Sequence, residues 1–187
     1  MAANTILFIE GQPKTTNGDL KKGFVKLLQQ NFTVKLPRII LGGGKLQTIN
    51  KFKTNQLEAK SFLLLIDLDN TESERKNDLK ANSIIQVEDS IFYMIQEMES
   101  WFLSQPEILD NFFGDGLSGK KISSKIPKKK TSEILNPAEL LLSITKNSKR
   151  GTYHKIKHAV ELLKLLDACQ LEKDFPDFKR LIEKLKV

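Results

Sequence analysis

Phe62-Leu63-Leu64-Leu65-Ile66-Asp67-Leu68-Asp69 contains an uninterrupted apolar run that ends in two acidic residues. A strand with apolar residues on both faces is covered on both sides, which is typical of the centre of a parallel sheet. We therefore predict a central parallel strand here, with Asp67 and Asp69 at its carboxyl end. Positions i and i+2 of an extended chain point to the same side, so both carboxylates can face one ion.

The segments on either side of this strand alternate between strand and helix patterns. Asn17-Gly18-Asp19 opens a helix with an apolar stripe, and Pro37 favours an edge position for the strand that contains it. Strands are predicted at 5–9, 32–41, 62–66 and 83–87, and helices at 19–28, 45–57, 71–81 and 90–104. This alternation predicts an α/β, doubly wound, mainly parallel sheet.

The strand patterns stop after about residue 104. Residues 118–132 contain six lysines and no acid, and helices are predicted at 137–145, 153–168 and 176–186. We expect a catalytic core over 1–110, followed over 111–187 by a basic loop and helical C-terminal segments packed on that core. The two parts would form a single compact domain.

Charge is unevenly distributed along the 187 residues. The net charge is +7, but residues 1–110 hold 13 bases and 14 acids, whereas residues 111–187 hold 17 bases and 9 acids. A basic excess favours a polyanionic partner. At 40% hydrophobic and 28% charged residues, the composition is that of a globular chain and excludes a collagen-like or disordered one.

The single cysteine, Cys169, excludes an intramolecular disulfide and is typical of a reducing compartment. It follows an apolar run, so we expect it in the core. No secretory leader and no apolar run long enough to span a membrane is present, which predicts a cytoplasmic protein with no membrane association.

Acidic residues follow two of the predicted strands, where α/β folds place their chemistry. Glu10 follows the first strand and is itself followed by Gly11; Asp67 and Asp69 follow the central one. Hard oxygen ligands without nearby histidine or cysteine suit Mg²⁺ or Mn²⁺. The alternative for Asp67 and Asp69 is that they only cap the helix that follows the strand.

Two further acids, Glu97 and Glu99, lie in the helix predicted over 90–104. They cannot share a face, because two helical residues span about 200°. Glu99 lies on the flank with Phe92 and Leu103, so we expect it to be partly buried and to need a partner. The sequence does not decide which of the two faces a metal, and either could be a surface carboxylate.

Several short motifs resemble, in the same order, those of a family of small Toprim-like proteins described as a domain of unknown function. That family is similar to RloB and to the nuclease half of the OLD (overcoming lysogenization defect) proteins. The motifs are Ile9-Glu10-Gly11, Gly43-Gly44-Lys45, Leu65-Ile66-Asp67-Leu68-Asp69, Gln96-Glu97-Met98-Glu99-Ser100-Trp101, Asn136-Pro137 and Phe175-Pro176-Asp177-Phe178-Lys179-Arg180-Leu181.

The resemblance implies a Toprim fold and Mg²⁺-dependent phosphodiester chemistry. Carried over, Glu10 would be a general acid/base or metal ligand, Asp67 and Asp69 metal ligands, and Glu97 or Glu99 would complete the catalytic set. It also implies a partner ATPase and a prokaryotic role in defence against phage. Relatives often carry a Thr-Glu pair after the first Glu-Gly, where this chain has residues 12–16 without an acid.

Basic residues outside this acidic set are candidates for contacts with nucleic acid. They are Lys14, Lys45, Lys120, Lys121, Lys128, Lys129, Lys130, Lys149, Arg150 and Lys155. A solvated surface is the simpler interpretation of such a charge run. Next to a carboxylate metal site, however, lysines can follow the phosphates of DNA or RNA.

Other interpretations remain open at this point. Residues 64–71 also match the first motif of haloacid-dehalogenase-type phosphatases, with Asp67 as the nucleophile. His154 and His158 lie one helical turn apart without a third zinc ligand in register, so a phosphate contact and a structural role are simpler. A non-catalytic nucleic-acid-binding or regulatory subunit is the main alternative to a nuclease, and an oligomer is compatible with either.

Overall fold

The computed structural model describes residues 5–13, 19–32, 36–55, 61–114 and 119–186. Its four strands form one parallel sheet in the order β2-β1-β3-β4. They are β1 (Thr5–Ile9), β2 (Arg38–Leu41), β3 (Ser61–Asp67) and β4 (Ile91–Met94). The prediction of an α/β, doubly wound parallel sheet is confirmed, and the architecture is consistent with a Toprim-like fold.

Helices occupy most of the remaining described chain. They are α1 (Leu20–Gln29), α2 (Lys45–Thr54), α3 (Arg75–Ala81), α4 (Glu99–Leu103), α5 (Pro106–Phe113), α6 (Pro137–Thr145), α7 (Lys155–Leu165), α8 (Ala168–Asp174) and α9 (Pro176–Lys186). Short 3₁₀ turns lie at Glu72–Glu74, Ile85–Ser90, Ile122–Lys125 and Thr131–Glu133.

Both faces of the sheet are covered. One face, which includes Leu63 and Leu65, packs against α1 and the C-terminal helices, and the other, which includes Leu64 and Ile66, packs against α2 and α3. Because alternate side chains of a strand point to opposite faces, β3 needs apolar residues at both sets of positions. This explains the continuous apolar run at 62–66.

The region around β4 corrects two predictions. Residues 83–87, predicted as a strand, enter a 3₁₀ turn, and the segment predicted as one helix over 90–104 contains β4, a turn and the short α4. The four apolar residues of β4 form ladder contacts with Leu64–Asp67. A short apolar run fits a buried strand as well as a buried helix, and tertiary pairing decides between them.

The second strand is shorter than predicted. β2 begins at Arg38, directly after Pro37, and lies at the edge of the sheet as the proline indicates. Residues 33–35 of the predicted strand, and Asn17 of the predicted helix start, lie outside the described residues.

The C-terminal helices pack directly on the sheet layer. Predicted helices 137–145 and 176–186 match α6 and α9, whereas predicted helix 153–168 ends as α7 at Leu165. At Gly23 of α1, an added Cβ would lie 2.9 Å from Leu163 of α7, so this glycine permits a close approach of the two helices. This contact sets α7 beside the carboxyl ends of β1 and β3.

Two further expectations concern exposure. The prediction that Cys169 lies in the core is wrong: it is exposed on α8, because the apolar stripe there uses its neighbours Ala168 and Leu171. Among the described residues, none of the helices combines the length and apolar character needed to cross a bilayer.

Candidate active site at the carboxyl ends of the central strands

The chain reverses its direction of winding between β1 and β3. After β1 it goes outward to β2, and it then returns to β3 on the other side of β1. In open α/β sheets, ligands bind at such a switch point, outside the carboxyl ends of the strands. A cleft of about 460 Å³, here called the switch-point cleft, opens at this place. It is lined by Glu10, Gly11, Gln12, Leu20, Gly43, Gly44, Asp67, Met94, Met98, His154, Lys155, Ile156, Ala159 and Val160.

Glu10 and Asp67 are in contact at this switch point. The backbone N–H of Asp67 donates a hydrogen bond to Oε2 of Glu10 at 3.0 Å, and the N–H of Glu10 donates to the carbonyl of Leu65 at 2.9 Å. Oδ1 of Asp67 accepts a hydrogen bond from the N–H of Met98 at 3.0 Å. The ends of β1 and β3 and the residue before α4 therefore hold both carboxylates in place.

Burial and repulsion disfavour negative charge on this pair. Burial raises the pKa of Glu10, with Asp69 adding to this, although the hydrogen bond from Asp67 opposes it. Burial raises the pKa of Asp67 well above its usual range, and repulsion by Glu10 adds to this, while Lys155 opposes it. Two carboxylates that resist ionisation side by side favour a bound cation.

Glu99 is the first residue of α4, and its side chain is fully buried. Its Oε1 accepts a hydrogen bond from the hydroxyl of Tyr153 at 2.9 Å and lies 3.4 Å from Nζ of Lys155. Its Oε2 has no hydrogen-bond partner among the described residues. A buried carboxylate requires partners, and here they come from a segment more than 50 residues further along the chain.

Glu97 lies in the turn between β4 and α4 rather than in the middle of a helix. It is half-buried, and burial together with repulsion by Glu99 raises its pKa. Lys155 counters this charge: burial disfavours its ammonium group, but Glu99, Asp67 and Glu97 together raise the pKa of Lys155 above its usual range. The result is a set of carboxylates arranged around one lysine.

Asp69 does not join this set by direct contact. Its side chain is 60% exposed and lies 3.4 Å from Nζ of Lys45, which also pairs with Asp78 at 2.9 Å. Its backbone has a φ of 58°, and its N–H donates to the carbonyl of Gln96, whose φ is 64°. These left-handed conformations turn the residue away from the straight strand path that the i, i+2 argument requires.

The remaining basic candidates lie in different surroundings. Lys120, Lys121, Lys128, Lys129, Lys130 and Lys149 are exposed. Lys129 and Lys130 line a second cleft of about 850 Å³, so they are not lining residues of the switch-point cleft. Arg150 pairs with Glu161 at 2.8 Å and lies over the ring of Phe112. Lys14 lies outside the described residues.

The sequence does not identify Tyr153 as a site residue, and it indicates Lys155 only as a candidate for contacts with nucleic-acid phosphates. No local signal links either residue to Glu99, because the contact depends on the docking of α7. His158, one of the two histidines considered for zinc, packs against the rings of Phe112 and Phe113, and its Nδ1 accepts a hydrogen bond from the N–H of His154. This fits the structural role considered for it.

The donors present fit a hard divalent cation. No group of three or more histidine, cysteine, aspartate or glutamate side chains in the described parts of the chain forms a ready metal cage. Mg²⁺, however, is commonly held by one or two carboxylates together with water and substrate phosphate. Glu10 and Asp67 supply two such carboxylates at neighbouring strand ends, where the backbone N–H of Asp67 binds the carboxylate of Glu10, and among the described residues Oε2 of the nearby Glu99 has no hydrogen-bond partner.

A family model described as a domain of unknown function (DUF4276) matches residues 10–186. The chain belongs to this family. No curated protein and no solved structure matches it. The DUF4276 match begins at Glu10 and extends into α9, so it includes Glu10, Asp67, Glu99 and Lys155.

Proposed function

We propose that this protein is a Toprim-like, Mg²⁺- or Mn²⁺-dependent nuclease that hydrolyses phosphodiester bonds. The observation that supports this proposal is the contact between Glu10 and Asp67 at the switch point, with Lys155 in the same cleft. This arrangement combines two oxygen donors for a cation with a positive group for a phosphate.

Each residue of the cleft has a distinct part in this proposal. Asp67 and Glu10 would hold the cation, and Glu10 is the more exposed of the two and therefore also suits proton transfer with water. When bound, the cation supplies charge stabilisation at the phosphate and lowers the pKa of a water molecule. Lys155 would bind a phosphate oxygen as a point charge.

Glu99 and Tyr153 act on Lys155. The carboxylate of Glu99 holds the ammonium group at 3.4 Å, and the hydroxyl of Tyr153 holds the carboxylate at 2.9 Å. Both are positioning residues in this scheme. Glu97, half-buried beside Glu99, is the remaining carboxylate that could reach a cation or its water shell.

The exposed lysines extend the proposal to nucleic acid. The six lysines of 118–132 carry positive charge without an intervening acid, which suits non-specific contact with phosphates. From the single cysteine we also propose a cytoplasmic site of action, and by resemblance we propose a partner ATPase and a role in defence against phage.

A cleavage assay tests the activity. Supercoiled DNA, single-stranded DNA and RNA are incubated with the protein and Mg²⁺ or Mn²⁺, with and without a co-encoded ATPase. Asp67→Asn keeps the acceptor for the N–H of Met98 but removes the charge, so we expect it to abolish cleavage and remain folded. Asp89→Asn, an exposed acid just before β4 at the opposite end of the sheet, is the matched control and should cleave normally.

Equal cleavage by the wild type and a folded Asp67→Asn variant would refute the site. Hydrolysis of p-nitrophenyl phosphate with a trapped phosphoryl group on Asp67 would instead support the phosphatase alternative.

One observation favours a non-catalytic subunit as the second candidate. The side chain of Asp69 is engaged by Lys45, which leaves Glu10 and Asp67 as the only expected metal ligands in direct contact among the described residues. A protein of this kind would bind Mg²⁺ and nucleic acid without turnover. Binding that persists without cleavage under all the conditions above, including the partner ATPase, would support it.

A further inference from the structure

The switch-point cleft has two chemically different parts. Glu10, Asp67 and Lys155 form a charged end. A second part is an apolar wall in which α1 and α7 face the end of β4, and it consists of Leu20, Met94, Met98, Ile156, Ala159 and Val160. The remaining lining residues are Gln12, His154 and three glycines. Phosphodiester hydrolysis uses only the charged end, so the apolar wall needs a separate explanation.

The apolar wall is open at its rim. Ile156 lies in the first turn of α7 and lines the cleft, and 43% of its surface is exposed. Covering apolar surface that is in contact with water lowers the free energy and therefore favours binding of a ligand. The ligand that matches this cleft therefore carries an apolar, flat or compact group next to a phosphate.

We propose that the switch-point cleft binds one unstacked nucleotide, with its base against the apolar wall and its phosphate at Lys155, and that the substrate is therefore single-stranded nucleic acid. This proposal rests on the proposed function and adds the substrate class. In a duplex the bases are stacked and paired, and extruding one costs a few kcal/mol. A single strand presents its bases at a much lower cost.

The dimensions of the cleft agree with this assignment. Its volume of about 460 Å³ falls within the range of about 300–1,000 Å³ that is typical of small-ligand pockets. Gly44 contributes to its lining without a side chain, and an added Cβ there would meet no atom within 4 Å, which leaves room for a sugar–phosphate backbone to pass.

Methyl NMR tests the position of the base. The chain has three methionines, and two of them, Met94 and Met98, line the cleft. With ¹³C-methyl-labelled methionine and a constant Mg²⁺ concentration, we expect AMP to shift both signals. Ribose 5-phosphate, which has the phosphate but no base, should shift them much less. Equal shifts with the two ligands would overturn the proposal.

Binding of oligonucleotides tests the substrate class. Fluorescence anisotropy compares a labelled single strand with its duplex, using Ca²⁺ in place of Mg²⁺ to limit turnover. Ile156→Ala removes about three carbons from a partly exposed contact, so we expect single-strand affinity to fall about 5- to 10-fold. Leu165→Ala is the matched control, because Leu165 is 52% exposed on the same helix but does not line the cleft.

The outcomes separate this proposal from the proposed function. Ile156-dependent binding of the single strand without any cleavage would refute hydrolysis but support the nucleotide cleft. Equal cleavage of single and double strands, unchanged by Ile156→Ala, would refute the nucleotide cleft but leave the nuclease intact. Methionine shifts with AMP but no binding of the oligonucleotide would assign the cleft to a free nucleotide and overturn the assignment to a strand.

Discussion

Removing the hydroxyl of Tyr153 is expected to destabilise the protein through the buried charge of Glu99. In Tyr153→Phe, Oε1 of Glu99 loses a 2.9 Å hydrogen bond. Within the described parts of the chain Oε2 has no hydrogen-bond partner, so the 3.4 Å ion pair with Lys155 is the one polar contact of Glu99 that remains there. A hydrogen bond to a charged group contributes about 1.5–3 kcal/mol to stability. For a chain of this size, a loss of about 2 kcal/mol lowers the Tm by about 4–8 °C.

The matched control is the other tyrosine of the chain. The hydroxyl of Tyr93 also donates to a carboxylate, that of Asp78 at 2.7 Å, but Asp78 is 17% exposed and keeps its ion pair with Lys45. Tyr93→Phe should therefore cost about 1 kcal/mol. Thermal and urea unfolding, followed by circular dichroism, measure both variants in EDTA.

A double-mutant cycle isolates the interaction. Glu99→Gln removes the charge but keeps an oxygen acceptor, so Tyr153→Phe should cost at least about 1 kcal/mol less in the Glu99→Gln background. If Tyr153→Phe costs no more than Tyr93→Phe, or if the cycle shows no coupling, the hydroxyl of Tyr153 does not hold a charged Glu99.

Three further predictions concern the basic loop, one histidine and the last helix. Replacing Lys128–Lys130 with alanine should reduce the slope of log affinity for nucleic acid against log KCl concentration by up to about 0.9 for each phosphate that these lysines neutralise. Fluorescence anisotropy over a range of KCl concentrations measures this slope. An unchanged slope would show that these lysines neutralise no phosphate. Burial, with help from Arg150, lowers the pKa of His158, so the folded state prefers the neutral ring. Stability should then be complete above about pH 6.5 and fall as the pH drops below it, and His158→Gln should flatten this part of the urea-midpoint profile. Asp177 of α9 accepts hydrogen bonds from Arg75 and from the N–H of Tyr93. Asp177→Ala should therefore lower the free energy of unfolding by about 3–5 kcal/mol and increase hydrogen exchange in α9. Unchanged exchange would contradict a role of Asp177 in docking that helix.

The proposed nuclease depends on both halves of the chain. Glu10, Asp67 and Glu99 come from the front half, whereas the basic back half supplies Lys155, which lines the same cleft as Glu10 and Asp67, and Tyr153, which binds Glu99. The basic back half therefore contains two groups of lysines with different roles. Lys155 balances buried carboxylates, and the lysines of 118–132 described as exposed remain available to a polyanion.

Local sequence patterns are sufficient to predict a strand where the pattern of apolar residues in the segment itself shows that both of its faces are buried. The apolar runs at 5–9 and 62–66 predict β1 and β3 because a strand covered on both faces requires apolar residues at every position. The same argument puts Glu10 and Asp67 at the carboxyl ends of these two strands, and the strand order of the sheet brings them into contact. Pro37 likewise indicates an edge strand, because it lacks a donor for a second neighbour.

The sequence by itself thus determined the parallel sheet and the two acids at its strand ends, since both follow from residues next to each other in the chain. Only the tertiary structure decided that residues 91–94 are a strand. Their apolar side chains would suit a buried helix equally well, and the hydrogen-bonded pairing with β3 selects the strand. The tertiary structure also decided that Lys45 pairs with Asp78, and that Tyr153 and Lys155 hold Glu99. These contacts join residues 33 to 56 positions apart, and long-range packing, not local pattern, brings them together.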